Sequence, residues 1–167
     1  MIMTLETWEY EWAAAVAMRR TTSNWNKQDA AHYNDKSRME DNRTANHAAT
    51  LCELAVAKAT NQYWSGSAWC SHDQKKYGSV TIDVGRNIEV KRSRTKDDIS
   101  IRDGQYGLGM ILFVARPAAP EFKTVDIWGW IEFDKAWDLG EPVYGKNNVR
   151  EINRKHLNDD PDACPRP

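Results

Sequence analysis

The chain has 167 residues, a formal net charge of -1 and three cysteines, enough length to bury roughly two thirds of its unfolded surface as one domain without a disulfide scaffold. Near-neutral charge argues against a uniformly basic nucleic-acid binder, and the wide spacing of Cys52, Cys70 and Cys164, with no CxxC, argues against a structural zinc site. No run of about 18 apolar residues exists to cross a membrane, and the opening "MIMTLETWEYEW" has neither a basic n-region nor an apolar h-region, so a reducing, cytoplasmic setting is expected.

Residues 4–20, "TLETWEYEWAAAVAMRR", place Leu5, Trp8, Trp12 and Ala15 or Val16 at helical spacing, with acids early and arginines late as the helix dipole favours. The spacing predicts an amphipathic helix buried through that stripe. "TTSNWNK" breaks it, and the polar stretch 28–46 reads as a second, more exposed helical region. Residues 46–60, rich in Ala and Leu and free of Gly and Pro, predict a well-buried helix that stops at Asn61.

From residue 62 the texture changes to β-formers separated by turn residues: "YWSGSAW", "SVTIDVG", "NIEVKR", "DISIR", "MILFVAR" and "TVDIWGWIEF". A short helix is expected near 104–110 or 134–139. Helices first and strands afterwards predict an α/β (α+β) fold with helices packed on a mixed sheet. Alternation places Trp128 and Trp130 on one face, as core. The tail "NDDPDACPRP", residues 158–167, is polar and Pro-rich and is expected to be disordered.

The chemistry concentrates in "DVGRNIEVKR", residues 83–92. If Gly85, Arg86 and Asn87 form a three-residue loop, Val84 pairs with Ile88 and Asp83 with Glu89, and paired residues share a face. Lys91 projects to that same face, roughly 6.6 Å further along the strand, while Ile88 and Val90 point to the other side. Two carboxylates about 5 Å apart are tolerated best with a divalent cation between them, and all-oxygen ligands favour Mg²⁺ or Mn²⁺ over zinc. A neighbouring lysine can orient a water or balance charge on a phosphate. The plain alternative is a solvent-facing Glu89–Lys91 pair behind a strand-ending Asp83. Glu53 weighs against it. On a helix its neighbours at three and four positions are Ala49, Thr50, Val56 and Ala57, and a carboxylate in such surroundings needs a cationic partner. Lys58 is one candidate.

A helix bearing Glu53, followed by a hairpin with Asp83 and then Glu89-Val90-Lys91, resembles the PD-(D/E)XK nuclease superfamily, particularly its small phage-type members, over about residues 46–133. Ile82 stands where the motif often has Pro. The resemblance implies a restriction-endonuclease-like core, a mixed central sheet of about four strands flanked by helices. It implies one nuclease-like domain over 1–157, with N-terminal helices 1–60 and a sheet-rich core 62–140, in the cytoplasm of a bacterial or phage-infected cell. Carried over residue by residue, Asp83, Glu89, Lys91 and Glu53 would be catalytic. Asp83, Glu89, the Val90 carbonyl and Glu53 would hold Mg²⁺ or Mn²⁺. The implied activity is metal-dependent hydrolysis of DNA, with RNA also open; the rival is a nuclease-fold protein that binds nucleic acid or a host protein without cutting.

Arg92, Arg94 and Arg102 are candidate phosphate contacts or, equally, strand-end surface charges. Tyr63, Trp64 and Trp69 could stack on unpaired bases, but in a chain with eight tryptophans core is the better reading. An exposed tryptophan face leaves a homo-oligomer open. Cys70 with His72, and His32, His47 and His156, are too few or too isolated to suggest a metal site.

Overall fold

The computed structural model describes residues 1–25, 42–68, 82–94, 97–118, 123–160 and 163–165. Among them are three α-helices, a mixed four-stranded sheet and a second, three-stranded sheet. In chain order the elements are β1 (Ile2–Thr4), α1 (Thr7–Trp25), α2 (Asn42–Thr60), β2 (Ile88–Arg92), β3 (Asp98–Arg102), β4 (Ile111–Pro117), β5 (Thr124–Glu132), α3 (Phe133–Leu139), β6 (Glu141–Pro142) and β7 (Val149–Asn153).

The first sheet runs β1-β5-β4-β2, antiparallel except for the parallel β4·β2 pair, and the second runs β3-β7-β6, all antiparallel. "DISIR" is thus a strand, but of the second sheet, and the chain crosses from β2 to its parallel neighbour β4 through it. One face of the larger sheet, with Ile88, Val90, Ile111, Phe113, Val125 and Ile127, is buried with α1 and α2 residues. Its other face, with Leu112, Val114 and Trp128, packs with Ile99, Ile101 and Ile152 of the smaller sheet and with Phe133 and Ala136 of α3.

Helix α1 starts with a capping contact, Glu6 N–H donating to Glu9 Oε2 at 2.6 Å. It lies antiparallel to α2: Lys58 Nζ reaches Glu9 at 2.7 Å, Thr50 Oγ1 donates to the Ala13 carbonyl at 3.0 Å, and Asn46 Nδ2 donates to Thr21 Oγ1 at 2.9 Å. The buried face of α1 is Ala13, Val16, Ala17 and Thr21, not the tryptophan stripe: Trp8 and Trp12 are 60% and 49% exposed. Two apolar stripes compete on this helix, and the one with small side chains admits the closer helix–helix approach. Helix α2 starts at Asn42, so 42–46 belongs to it; the rest of the expected helical region 28–46 lies outside the described residues. It ends as expected, with Asn61 at φ 52° and Gln62 N–H returning to the Ala57 carbonyl at 2.9 Å, a Schellman cap.

Two further expectations are corrected. Trp128 and Trp130 lie on opposite faces of the sheet, because the β4·β5 register shifts: Val114 pairs with Gly129 but Ala115 pairs with Ile127, leaving Trp128 as the extra residue of a bulge. Gly129 takes φ 142° there, and the backbone of Asn158 lies where a Cβ would stand. The described part of the tail is docked: Asn158 pairs with Trp130, the Trp130 indole N–H donates to the Asp160 carbonyl at 2.7 Å, and Cys164 is buried in the helix-side core.

Candidate active site

Strand β2 lies at the edge of the four-stranded sheet, with β4 on its inner side. The hairpin turn forms as the sequence predicts: Val84 and Ile88 exchange both backbone hydrogen bonds at 3.2 Å, and Gly85 takes φ 60°. Any other residue at 85 would meet the Gln62 side chain as well as backbone strain. The strand expected before the turn is only a pair of bridges, Val84 to Ile88 and Val84 to Trp64; residues 79–81 of "SVTIDVG" lie outside the described residues.

Asp83 does not sit opposite Glu89 in a ladder. Its N–H donates to the Ile88 carbonyl at 3.1 Å, and its carboxylate turns back along the open edge of β2 to accept the Val90 N–H at 2.9 Å. The N–H and C=O of one strand residue point the same way, so the Val90 carbonyl faces this edge too. The Asp83 carbonyl accepts both the N–H and the hydroxyl of Ser65, at 3.2 and 3.1 Å. Alternation along β2 buries Ile88 and Val90 on the helix side and turns Glu89 and Lys91 to the other face, where Lys91 Nζ bonds Glu89 Oε1.

The electrostatics join these groups. The Asp83 carboxyl is held well above the usual range by burial first, then by the negative charges of Glu53 and Glu89; the Val90 N–H and Lys91 oppose the shift without cancelling it. Burial would pull the Lys91 ammonium down, but Glu89 and Asp83 outweigh it and its pKa is raised, with Arg102 opposing. Lys91 is therefore a fixed cation and donor near neutral pH, not a proton acceptor.

Glu53 has its cation, and it is neither Lys58 nor Lys91. Arg20 of α1 forks onto it, Nη1 to Oε1 at 2.7 Å and Nη2 to Oε2 at 2.9 Å, and the Trp64 indole N–H donates to Oε2 at 3.0 Å. Arg20 Nε also donates to the Ser67 carbonyl at 2.5 Å. A chain of contacts therefore runs from α1 through Glu53 and Trp64 to Val84 and, through Ser65, to Asp83. Sequence reading missed Arg20. Its signal was phase: it falls three and four positions beyond Ala17 and Val16, in line with the buried stripe of α1.

Among the described residues no three His, Cys, Asp or Glu side chains form a ready metal cage. What lies along this edge is the Asp83 carboxyl, its pKa raised by burial first and then by Glu53 and Glu89, the Val90 carbonyl, and the Glu89 carboxylate near enough to act on Asp83, all oxygen donors. That set fits Mg²⁺ or Mn²⁺, which keep several waters and take one or two carboxylates. Of the three arginines, Arg102 of β3 is close enough to Lys91 to act on its charge. Arg92, in phase with Val90, lies on the helix side, where its charge opposes the strong upward push of burial on the Cys52 thiol. Arg94 is exposed two residues beyond the strand. Trp64 is buried, which leaves no face for a base; Trp69, Cys70 and His72 lie outside the described residues. Compared with protein-family models, curated proteins and solved structures, the chain matches none of them significantly.

Proposed function

We propose that this chain is a divalent-metal-dependent nuclease that hydrolyses phosphodiester bonds in DNA, on a restriction-endonuclease-like core. The observation that carries the reading is the placement of Asp83 on the open edge of β2, its carboxylate on the Val90 N–H beside the Glu89–Lys91 pair, where burial, Glu53 and Glu89 raise its pKa. Repelling carboxylates on a partly buried edge are unfavourable by themselves, and a dication there relieves them. Asp83, Glu89 and the Val90 carbonyl would hold Mg²⁺ or Mn²⁺. Such an ion supplies a polarised phosphate and a water acidic enough to attack at neutral pH.

The chain's own groups do the rest. Glu89 holds the Lys91 ammonium in place, and Lys91 donates to the attacking water and offsets negative charge on the phosphate. Arg102 lies where a neighbouring phosphate can be held. Glu53, with both oxygens engaged, acts from behind, fixing Trp64 and the hairpin that carries Asp83.

Purified protein incubated with supercoiled plasmid, linear duplex and single-stranded DNA in Mg²⁺, Mn²⁺ or EDTA tests this. Metal-dependent cleavage that Glu89→Gln and Lys91→Ala abolish is expected. Cleavage undiminished in Lys91→Ala would remove the proposed mechanism, and a gel shift without cleavage would favour a binding protein.

A further inference from the structure

The outer face of α1 carries apolar mass that the fold uses only in part: Trp12 meets the buried Trp64 edge-on, with ring centroids 5.5 Å apart, and still leaves about half of its surface exposed. Trp8, Trp12 and Met18 are 60%, 49% and 57% exposed, and the two indoles stack on each other with centroids 6.3 Å apart. Trp8, Trp12, Ala15 and Arg19, all exposed, are spaced by four, three and four residues, which sets them in one row along the helix.

That row is complementary to its own reverse. If a second α1 lies antiparallel across it, with the two-fold axis between positions 13 and 14, Trp12 of each copy meets Ala15 of the other, large against small. Trp8 of each then meets Arg19 of the other, ring against guanidinium, a cation–π pairing. Charge points the same way. Glu9 and Arg20 are bound within the fold, by Lys58 and Glu53, and the exposed charges of the helix region are Glu6 and Glu11 at its start and Arg19 near its end. Antiparallel contact lays the acidic end of each helix over the basic end of the other. A nucleic acid on the same tryptophans would meet Glu6 and Glu11, both exposed, and be repelled.

We propose that this face of α1 is a two-fold self-association surface, occupied by a second copy of this chain. A helix of 19 residues is about 28 Å long, so the contact is at the small end of specific interfaces and a dissociation constant on the order of 10 µM is expected. The surface includes none of the proposed metal ligands, although Trp12 packs on Trp64, which holds Glu53 behind that site.

Sedimentation velocity on the full chain from 1 to 200 µM (roughly tenfold below to twentyfold above that constant) tests it. The expected result is a monomer–dimer equilibrium that Arg19→Glu and Glu11→Lys each abolish, since each sets like charges against one another twice. Mixing the two variants should restore a dimer, because the heterodimer then has opposite charges at both contacts. Both positions are exposed, and circular dichroism verifies that the variants fold. A wild-type chain monomeric at 200 µM, variants that dimerise as wild type does, or a mixture that stays monomeric would each overturn the proposal.

Discussion

Two carboxylates close enough to feel each other's charge meet opposite fates in this molecule. Glu53 is buried with both oxygens satisfied, by a forked guanidinium and an indole N–H. Asp83 accepts one backbone N–H, and its surroundings favour the proton over the charge. The first is finished within the fold. The second is left to the proton, or to the cation of the proposed function. A buried carboxylate with both oxygens tied reads as scaffold, and the less satisfied one beside it is where, under the proposed function, a cation would complete the electrostatics.

Breaking the satisfied member has the largest expected effect. Arg20→Ala leaves Glu53 as a buried charge without its partner, and should cost about 3–5 kcal/mol in denaturant unfolding. Replacing both, as Arg20→Met with Glu53→Leu, should recover most of that loss, because the pair's desolvation cost disappears with the pair. Trp64→Phe removes one donor to Glu53 and keeps the ring, and should cost about 1.5–3 kcal/mol, read the same way.

The unsatisfied member responds with the opposite sign. In metal-free protein Asp83→Asn should raise stability, on the order of 1 kcal/mol at pH 7.5. The folded form binds the Asp83 proton more tightly than the unfolded chain does. Stability of the wild type therefore falls as pH rises above the ordinary value of 3.8, and levels off once the raised folded value is passed. The advantage of the Asn variant should vanish near pH 3 and grow through that window; an advantage that does not change with pH would mean the carboxyl is not perturbed. The smallest effect is on affinity. Calorimetric titration should show Mn²⁺ binding that weakens on acidification at a higher pH than an ordinary carboxylate site would, since Asp83 must release its proton to bind.

The sequence carried the local features well. The Val84–Ile88 pairing, the common face of Glu89 and Lys91 and the stop at Asn61 depend on neighbours a few positions away, and all three are found. The need of Glu53 for a cation was legible from its apolar neighbours; which cation was not, because Arg20 lies 33 residues away and reaches it only once α1 and α2 pack. Periodicity failed where it was ambiguous or interrupted. Helix α1 has two apolar stripes and the larger one stays outside, while one extra residue at Trp128 turns Trp130 to the other face. The turn of the Asp83 carboxylate onto the Val90 N–H is a choice between two hydrogen-bond partners that strand alternation does not encode.

The pairing of β1 with β5 joins Ile2 to Asp126. Strand β1 thus waits for the last strand of its sheet to be made, on the order of 10 s at ordinary translation rates. Until then α1 and α2 can close on each other, over separations of 25 to 49 residues, and β2 can pair with β4, but the sheet that presents Asp83 and Glu89 is not complete. The edge that carries the candidate chemistry is built from nearby contacts and can form before the sheet is complete, and the costly closure over a long stretch of chain is that of β1 onto β5.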